Sequence, residues 1–250
     1  MEALRAVPLR VFADHMLVHL ADFVPPVFNA IGEQQMRKAI DFGIARAARH
    51  GFTNRGPVRF YLELTMLLGC HFDTDPQYPW ATEILGDDDP DSQMDRAERL
   101  YEKTRDYRRS VAGPDDHYTR AALENIAFFA RHPLALSVDR YVPDLLQQIA
   151  LIYPQKADYV GDAALEALIR AGVATAQRNR CSTVCDTTLL IMLMLAFGHG
   201  CTSDFLFPWI EKCLEGRATA DPHARFEQLE QEALRWIAYL LNSPRTVSRQ

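Results

Sequence analysis

Apolar residues recur along this chain at spacings of three and four, the period of a helix with one buried face. Phe12, Met16, Leu20 and Phe23 form such a stripe and predict a first helix over 8–23. Pro25-Pro26 should end it, because proline lacks the amide that continues a helix. Met36, Ile40, Ile44 and Ala47 predict a second helix over about 32–50, with Arg37, Lys38, Arg46 and Arg49 outward and Gly51 as its stop. A third is expected over about 57–68, closed by Gly69. Residues 70–80, rich in Pro and Asp, read as irregular, and a short helix then leads into an acidic stretch. Over 91–111 acids and bases alternate at helical spacing, which predicts a solvated helix. Gly113-Pro114-Asp115-Asp116 is a start signal for the next, over 114–131, and further helices fit 138–153, 162–178, 183–197, 203–214 and 222–241. No period-2 run with hairpin punctuation and no internal repeat stands out. The expectation is an all-α, irregular multi-helix bundle of about nine or ten helices. It forms a single domain over 1–250, with a possible subdivision at the acidic segment 86–95.

Composition agrees. Ala (31) and Leu (28) outnumber Val (13) and Ile (11) by more than two to one, and unbranched side chains favour helices. The net charge of −6 is unevenly spread: residues 1–85 carry eight bases and nine acids, residues 126–250 twelve and thirteen. Segment 86–95 alone holds five Asp and no base, so a nearly neutral body carries one concentrated acidic run. A basic stripe for nucleic acid is not evident. The apolar centre of the longest uncharged stretch is nine residues, against about twenty for a membrane-spanning helix. The opening residues predict no secretory signal, and an odd count of five cysteines suits reduced thiols in a cytoplasmic protein.

Three groupings could carry chemistry. His15 and His19 with Asp22 have metal-ligand spacing on one helical face, but no Glu follows the first His as in zincins, and a structural role is expected. His71, Asp73 and Asp75 with Gln77 mimic the start of an EF-hand loop. Tyr78 and Ile84 stand where that loop needs Gly and Glu, so calcium of that type is rejected. A metal-dependent enzyme using His71, Asp73 and Asp75 stays open as an alternative, beside turn chemistry with Trp80 as an anchor. Cys181, Cys185, His199 and Cys201 match no common zinc spacing. No nucleophile-elbow, phosphate-loop or dinucleotide motif is present. The expectation is a protein with no cofactor, no metal site and no catalytic residues.

Two strings are distinctive. One runs from His19-Leu20 through Phe23-Val-Pro-Pro and Ile31-Gly-Glu to Arg37-Lys-Ala-Ile-Asp-Phe-Gly-Ile-Ala-Arg-Ala-Ala-Arg-His-Gly-Phe52. The other is Tyr61-Leu-Glu-Leu-Thr-Met-Leu-Leu-Gly69 followed by Phe72-Asp-Thr-Asp-Pro-Gln-Tyr-Pro-Trp80. Over residues 10–85 the chain resembles a family of helical bacterial proteins encoded beside type VI secretion effectors and their PAAR spike proteins. That resemblance implies an adaptor or co-chaperone that helps load an effector through protein–protein binding; the alternative it implies is an immunity protein neutralising a toxin. The expected partner is the effector or its chaperone. The expected contact surface is Phe72, Asp73, Asp75 and Trp80 with the acidic run Asp87, Asp88, Asp89 and Asp91.

Overall fold

The Ala- and Leu-rich stretches do form helices, and every regular element of the computed structural model is helical over the residues it describes, 3–86, 92–133, 136–215 and 222–243. Twelve α-helices run through them: α1 (Ala3–Phe23), α2 (Pro25–Arg49), α3 (Arg55–Leu68), α4 (Pro79–Gly86), α5 (Gln93–Tyr107), α6 (His117–Arg131), α7 (Tyr141–Ile152), α8 (Pro154–Val160), α9 (Asp162–Arg178), α10 (Val184–Phe197), α11 (Pro208–Glu215) and α12 (Pro222–Asn242). The all-α expectation stands, and the helix count is twelve among the described residues instead of nine or ten. The helix expected over 138–153 is α7, which ends at Tyr153, and Pro154 then opens α8, which was not expected. Pro25-Pro26 closes α1 as expected but also starts α2, since a proline in the first turn removes no helical bond. Gly32, with φ of 77°, then kinks α2 where a new helix was expected to begin.

A repeat organises the chain, contrary to the sequence expectation. The elements of residues 12–107 recur at a constant separation of 129 positions (198 − 69 for the glycines that end α3 and α10). The C-terminal half of α1 corresponds to α7, residues 25–31 to α8, and α2 beyond Gly32 to α9. Then α3 corresponds to α10, α4 to α11 and α5 to α12. Identity survives at few places, among them Pro25/Pro154, Gly32/Gly161, Asp75/Asp204, Pro79/Pro208 and Trp80/Trp209. Core positions exchange one apolar residue for another, as in Met36/Leu165 and Leu62/Ile191, because a core tolerates swaps that keep its volume. Gly69/Gly198 and Asp75/Asp204 stay identical where backbone geometry or a polar partner leaves little choice, apolar pairs such as Ile40/Ile169 and Leu64/Leu193 are also kept, and such sparse marks do not reveal a repeat to the eye.

The two halves meet where α3 and α10 end. Gly69 and Gly198 have φ of 97° and 95°, a region that costs any side chain. A Cβ on Gly69 would stand 3.0 Å from the Phe197 carbonyl oxygen, and one on Gly198 would stand 3.0 Å from that of Leu68. Glycine is required at both places by the same close backbone approach, seen once from each half.

Candidate functional site

The distinctive string 72–80 lies at this junction. It folds as a 3-10 turn, Phe72–Thr74, and its counterpart in the second half is the turn Cys201–Ser203. Asp75 accepts the Gln77 amide at 2.9 Å through Oδ1, closing its own turn, and accepts the His199 amide at 2.7 Å through Oδ2. Asp204 repeats this in mirror register, accepting the Leu206 amide at 2.8 Å and the Cys70 amide at 2.7 Å. Each aspartate thus stiffens its own turn and holds the first amide beyond the glycine that ends the other half's helix. Both are buried, and burial pushes the Asp204 carboxyl up despite the amides it accepts. The pair is a reciprocal lock, which explains why the string is distinctive.

Asp73 does something different. Its side chain is wholly covered and receives Arg46 through two bonds, Nε at 2.9 Å and a terminal nitrogen at 2.5 Å. The Tyr61 hydroxyl donates to it at 2.9 Å, and His50 Nε2 lies 2.8 Å away. Burial alone would raise the Asp73 carboxyl; the bonds from His50, Arg46 and Tyr61 hold it well below the usual carboxylate range. Burial, together with the adjacent Asp73 charge, pushes the Tyr61 phenol up. Arg46 lies in the last turn of α2 and His50, four residues on, caps its C-terminus on the same face. The expectation that Arg46 points outward is therefore overturned. An apolar-stripe reading misses it because a buried carboxylate on another element draws the guanidinium in.

The sequence candidates fall out as follows. Phe72, Asp73, Asp75 and Trp80, expected on a contact surface, are turned inward and buried. The ring of Phe72 packs on Tyr61, and that of Trp80 on Tyr78 and Tyr107. Asp87, Asp88, Asp89 and Asp91 lie outside the described residues. His15 and His19 take separate partners on or beside α3, Arg55 at 2.7 Å and Glu63 at 2.8 Å. His71 packs edge-on against Phe42 and His199, and burial lowers its pKa. Cys201 is buried, Cys181 half-buried and Cys185 exposed. Burial raises the Cys201 thiol far, and that of Cys181 to about 12. Among the described residues, no three His, Cys, Asp or Glu side chains gather in a way that could hold a metal ion, and no helix is long and apolar enough to cross a membrane.

Sequence reasoning passed over three groups. One is Arg46, His50 and Tyr61 around Asp73. Another is Lys156, wholly buried, whose Nζ donates to the Leu195 carbonyl at 2.7 Å and lies over the rings of Tyr78 and Tyr153. Burial lowers its pKa to about 8. The third is a cavity of about 340 Å³ lined by Ala30, Ile31, Pro208, Trp209, Trp236 and Tyr239, with Lys212, Glu232 and Arg235 at its edge. A second hollow, of about 320 Å³, lies between α6, α10 and α12 beside Phe129, Met192 and Phe226. The constant separation of 129 positions was the signal that could have found the lock. Neither a protein-family model, nor a curated protein, nor a solved structure matches this chain.

Proposed function

We propose that this protein is a non-enzymatic accessory factor that works by binding another protein. Following the resemblance of residues 10–85, its partner is a type VI secretion effector or that effector's chaperone, and its task is loading. One observation carries the reading: the side chains best equipped for acid–base work are used up inside the protein. Asp73 is covered and shared among Arg46, His50 and Tyr61. His50 commits its other ring nitrogen, Nδ1, to the Leu85 carbonyl at 3.1 Å. A general acid or base must come within hydrogen-bond reach of a substrate, and these groups reach one another. Helix faces and an aromatic hollow remain on the outside, and those are means of binding.

The test is co-purification of the tagged full chain with the products of the adjacent genes, together with effector export from a strain lacking it. A stable complex and lost export are expected, with no protection of cells that express the effector alone. Protection of those cells would assign an immunity role instead. Absence of any complex would overturn both.

A further inference from the structure

The internal repeat gives the Trp209–Trp236 cavity a template inside the same molecule. Its lining residues Ala30, Trp209 and Trp236 and the rim residue Arg235 correspond to Tyr159, Trp80, Tyr107 and Asp106. In that other location the space is taken. The Tyr159 ring packs edge-on against Tyr107 at 5.4 Å, Tyr107 lies against Trp80 at 6.4 Å, and the Tyr159 hydroxyl donates to Asp106 at 3.1 Å. At Ala30 the aromatic ring is missing, while the aromatic wall is kept: Trp209 and Trp236 lie 6.3 Å apart, and Tyr239 lies tilted beside Trp236 at 6.0 Å. The Tyr239 hydroxyl donates to the Pro26 carbonyl at 2.9 Å and ties α12 to the start of α2, so the hollow has a braced wall.

The rim charges are inverted between the two places. Lys212, Glu232 and Arg235 line the open site, and the residues at the corresponding positions of the first half are Glu83, Lys103 and Asp106, the last of which bonds Tyr159. The rim thus changes from one net negative charge to one net positive charge. Where the Tyr159 hydroxyl meets an acceptor in Asp106, an occupant of the open site meets the guanidinium of Arg235, two-thirds exposed and paired with Glu232 at 2.5 Å. Rim complementarity of this kind selects for an anionic neighbour.

We propose that this cavity receives one aromatic side chain, tyrosine or phenylalanine, flanked by carboxylates on a partner protein. It would occupy the place that Tyr159 fills from within in the other half. Aromatic anchors seated in desolvated pockets are where protein interfaces concentrate their affinity. The inference rests on the protein-binding reading above and gives the partner's contact a chemistry.

The probe is the blocked tripeptide acetyl-Asp-Tyr-Asp-amide, with acetyl-Asp-Leu-Asp-amide and acetyl-Lys-Tyr-Lys-amide as controls, titrated into the full chain. The chain has three tryptophans, so the indole N–H resonances of Trp80, Trp209 and Trp236 are assignable by single Trp→Phe substitutions. Saturable shifts of Trp209 and Trp236, with Trp80 unmoved, are expected for the Asp-Tyr-Asp peptide. Both controls should bind at least tenfold more weakly. Ala30→Tyr, which supplies the missing ring from within, should weaken binding at least tenfold while unfolding stays cooperative. Arg235→Glu, which leaves the wall intact, should reverse the preference toward the Lys-Tyr-Lys peptide. No saturable shift, equal binding of the leucine peptide, or no response to Arg235→Glu would overturn the proposal, as would dilution-dependent shifts without peptide, which would mean a second copy fills the cavity. If Ala30→Tyr still captures the products of the adjacent genes, the pocket assignment fails while the accessory role stands.

Discussion

Where the first half of the molecule gathers half-buried Arg46 and His50 with buried Tyr61 around Asp73, the second half has Thr175, Asn179, Leu190 and Thr202 at the corresponding positions. The same helices thus close around a charged knot in one half and around neutral residues in the other. A buried ion pair is costly to desolvate, and neutral replacements can fold as well. The second half is the internal demonstration that this helical unit does not need the charges to form. Their presence in one half alone makes that half intolerant of losing any partner. The asymmetry extends to the junction, where Lys156 and Gln77 reach the Leu195 and Met194 carbonyls of α10. The corresponding residues are the apolar Val27 and Leu206, and the corresponding carbonyls are those of Met66 and Thr65 in α3. The Asp75/Asp204 lock, by contrast, is the same in both halves.

Breaking the knot should show the largest difference between the halves. Asp73→Asn removes the charge that Arg46 and His50 share, and denaturant unfolding should report a loss of about 3–5 kcal/mol, as for one partner of a buried pair. Thr202→Ala, its counterpart, should stay within about 0.5 kcal/mol. Equal effects would remove the contrast. The Asp73 pKa is held below its unfolded value, so its contribution is present above about pH 4 and is lost as pH falls toward the folded value.

Lys156 should give the next effect, with the same pH sense in a higher range. Its folded pKa of about 8 lies below the ordinary lysine value of 10.5, so the unfolded chain binds more protons between those limits. Stability should therefore rise with pH from 8 towards 10, by up to about 1.4 kcal/mol per unit. Lys156→Met should flatten that rise in melts across the range, and an unchanged slope would dismiss the lysine as its source.

Gly69→Ala and Gly198→Ala probe the shared lock. Each sets a side chain in a left-handed conformation against the opposite carbonyl, and each should cost about 1–3 kcal/mol. A marked inequality between them would show that the junction is less symmetric than its geometry.

The smallest effect sharpens the distinction between the two buried carboxylates. Burial raises the Asp204 pKa, whereas its partners lower that of Asp73. Asp204→Asn removes the buried charge and keeps one acceptor oxygen, but sets its NH2 against the Cys70 or Leu206 amide, so it should cost about 1–2 kcal/mol, below Asp73→Asn in the same unfolding measurement.

Much of the fold was legible in the apolar periodicity. Residues 162–178 form α9 as expected, and the expected 222–241 agrees with α12 to within one residue, because long stripes at helical spacing leave little choice of element. The expected boundaries at 32 and 153 coincide with the kink in α2 and the end of α7, whereas α8, Pro154–Val160, is too short to show a helical stripe and was not expected. The site was less legible still. Asp73 and Asp75 were singled out, but Arg46 looked like a solvated base, and nothing near Ala30 in the chain marks it as the floor of an aromatic hollow.

By itself the sequence determined the helical class and the position of most helices. Local propensity and periodicity are properties of neighbouring residues and are readable along a string. Only the tertiary structure decided that Asp75 and Asp204 each serve the other half, and that Asp73 gathers three partners from two helices. It also decided that the ring present at Tyr159 is missing at Ala30. Those outcomes depend on which groups lie together once water is excluded. There a charge must find a partner and a missing side chain leaves a space, whatever its distance along the chain.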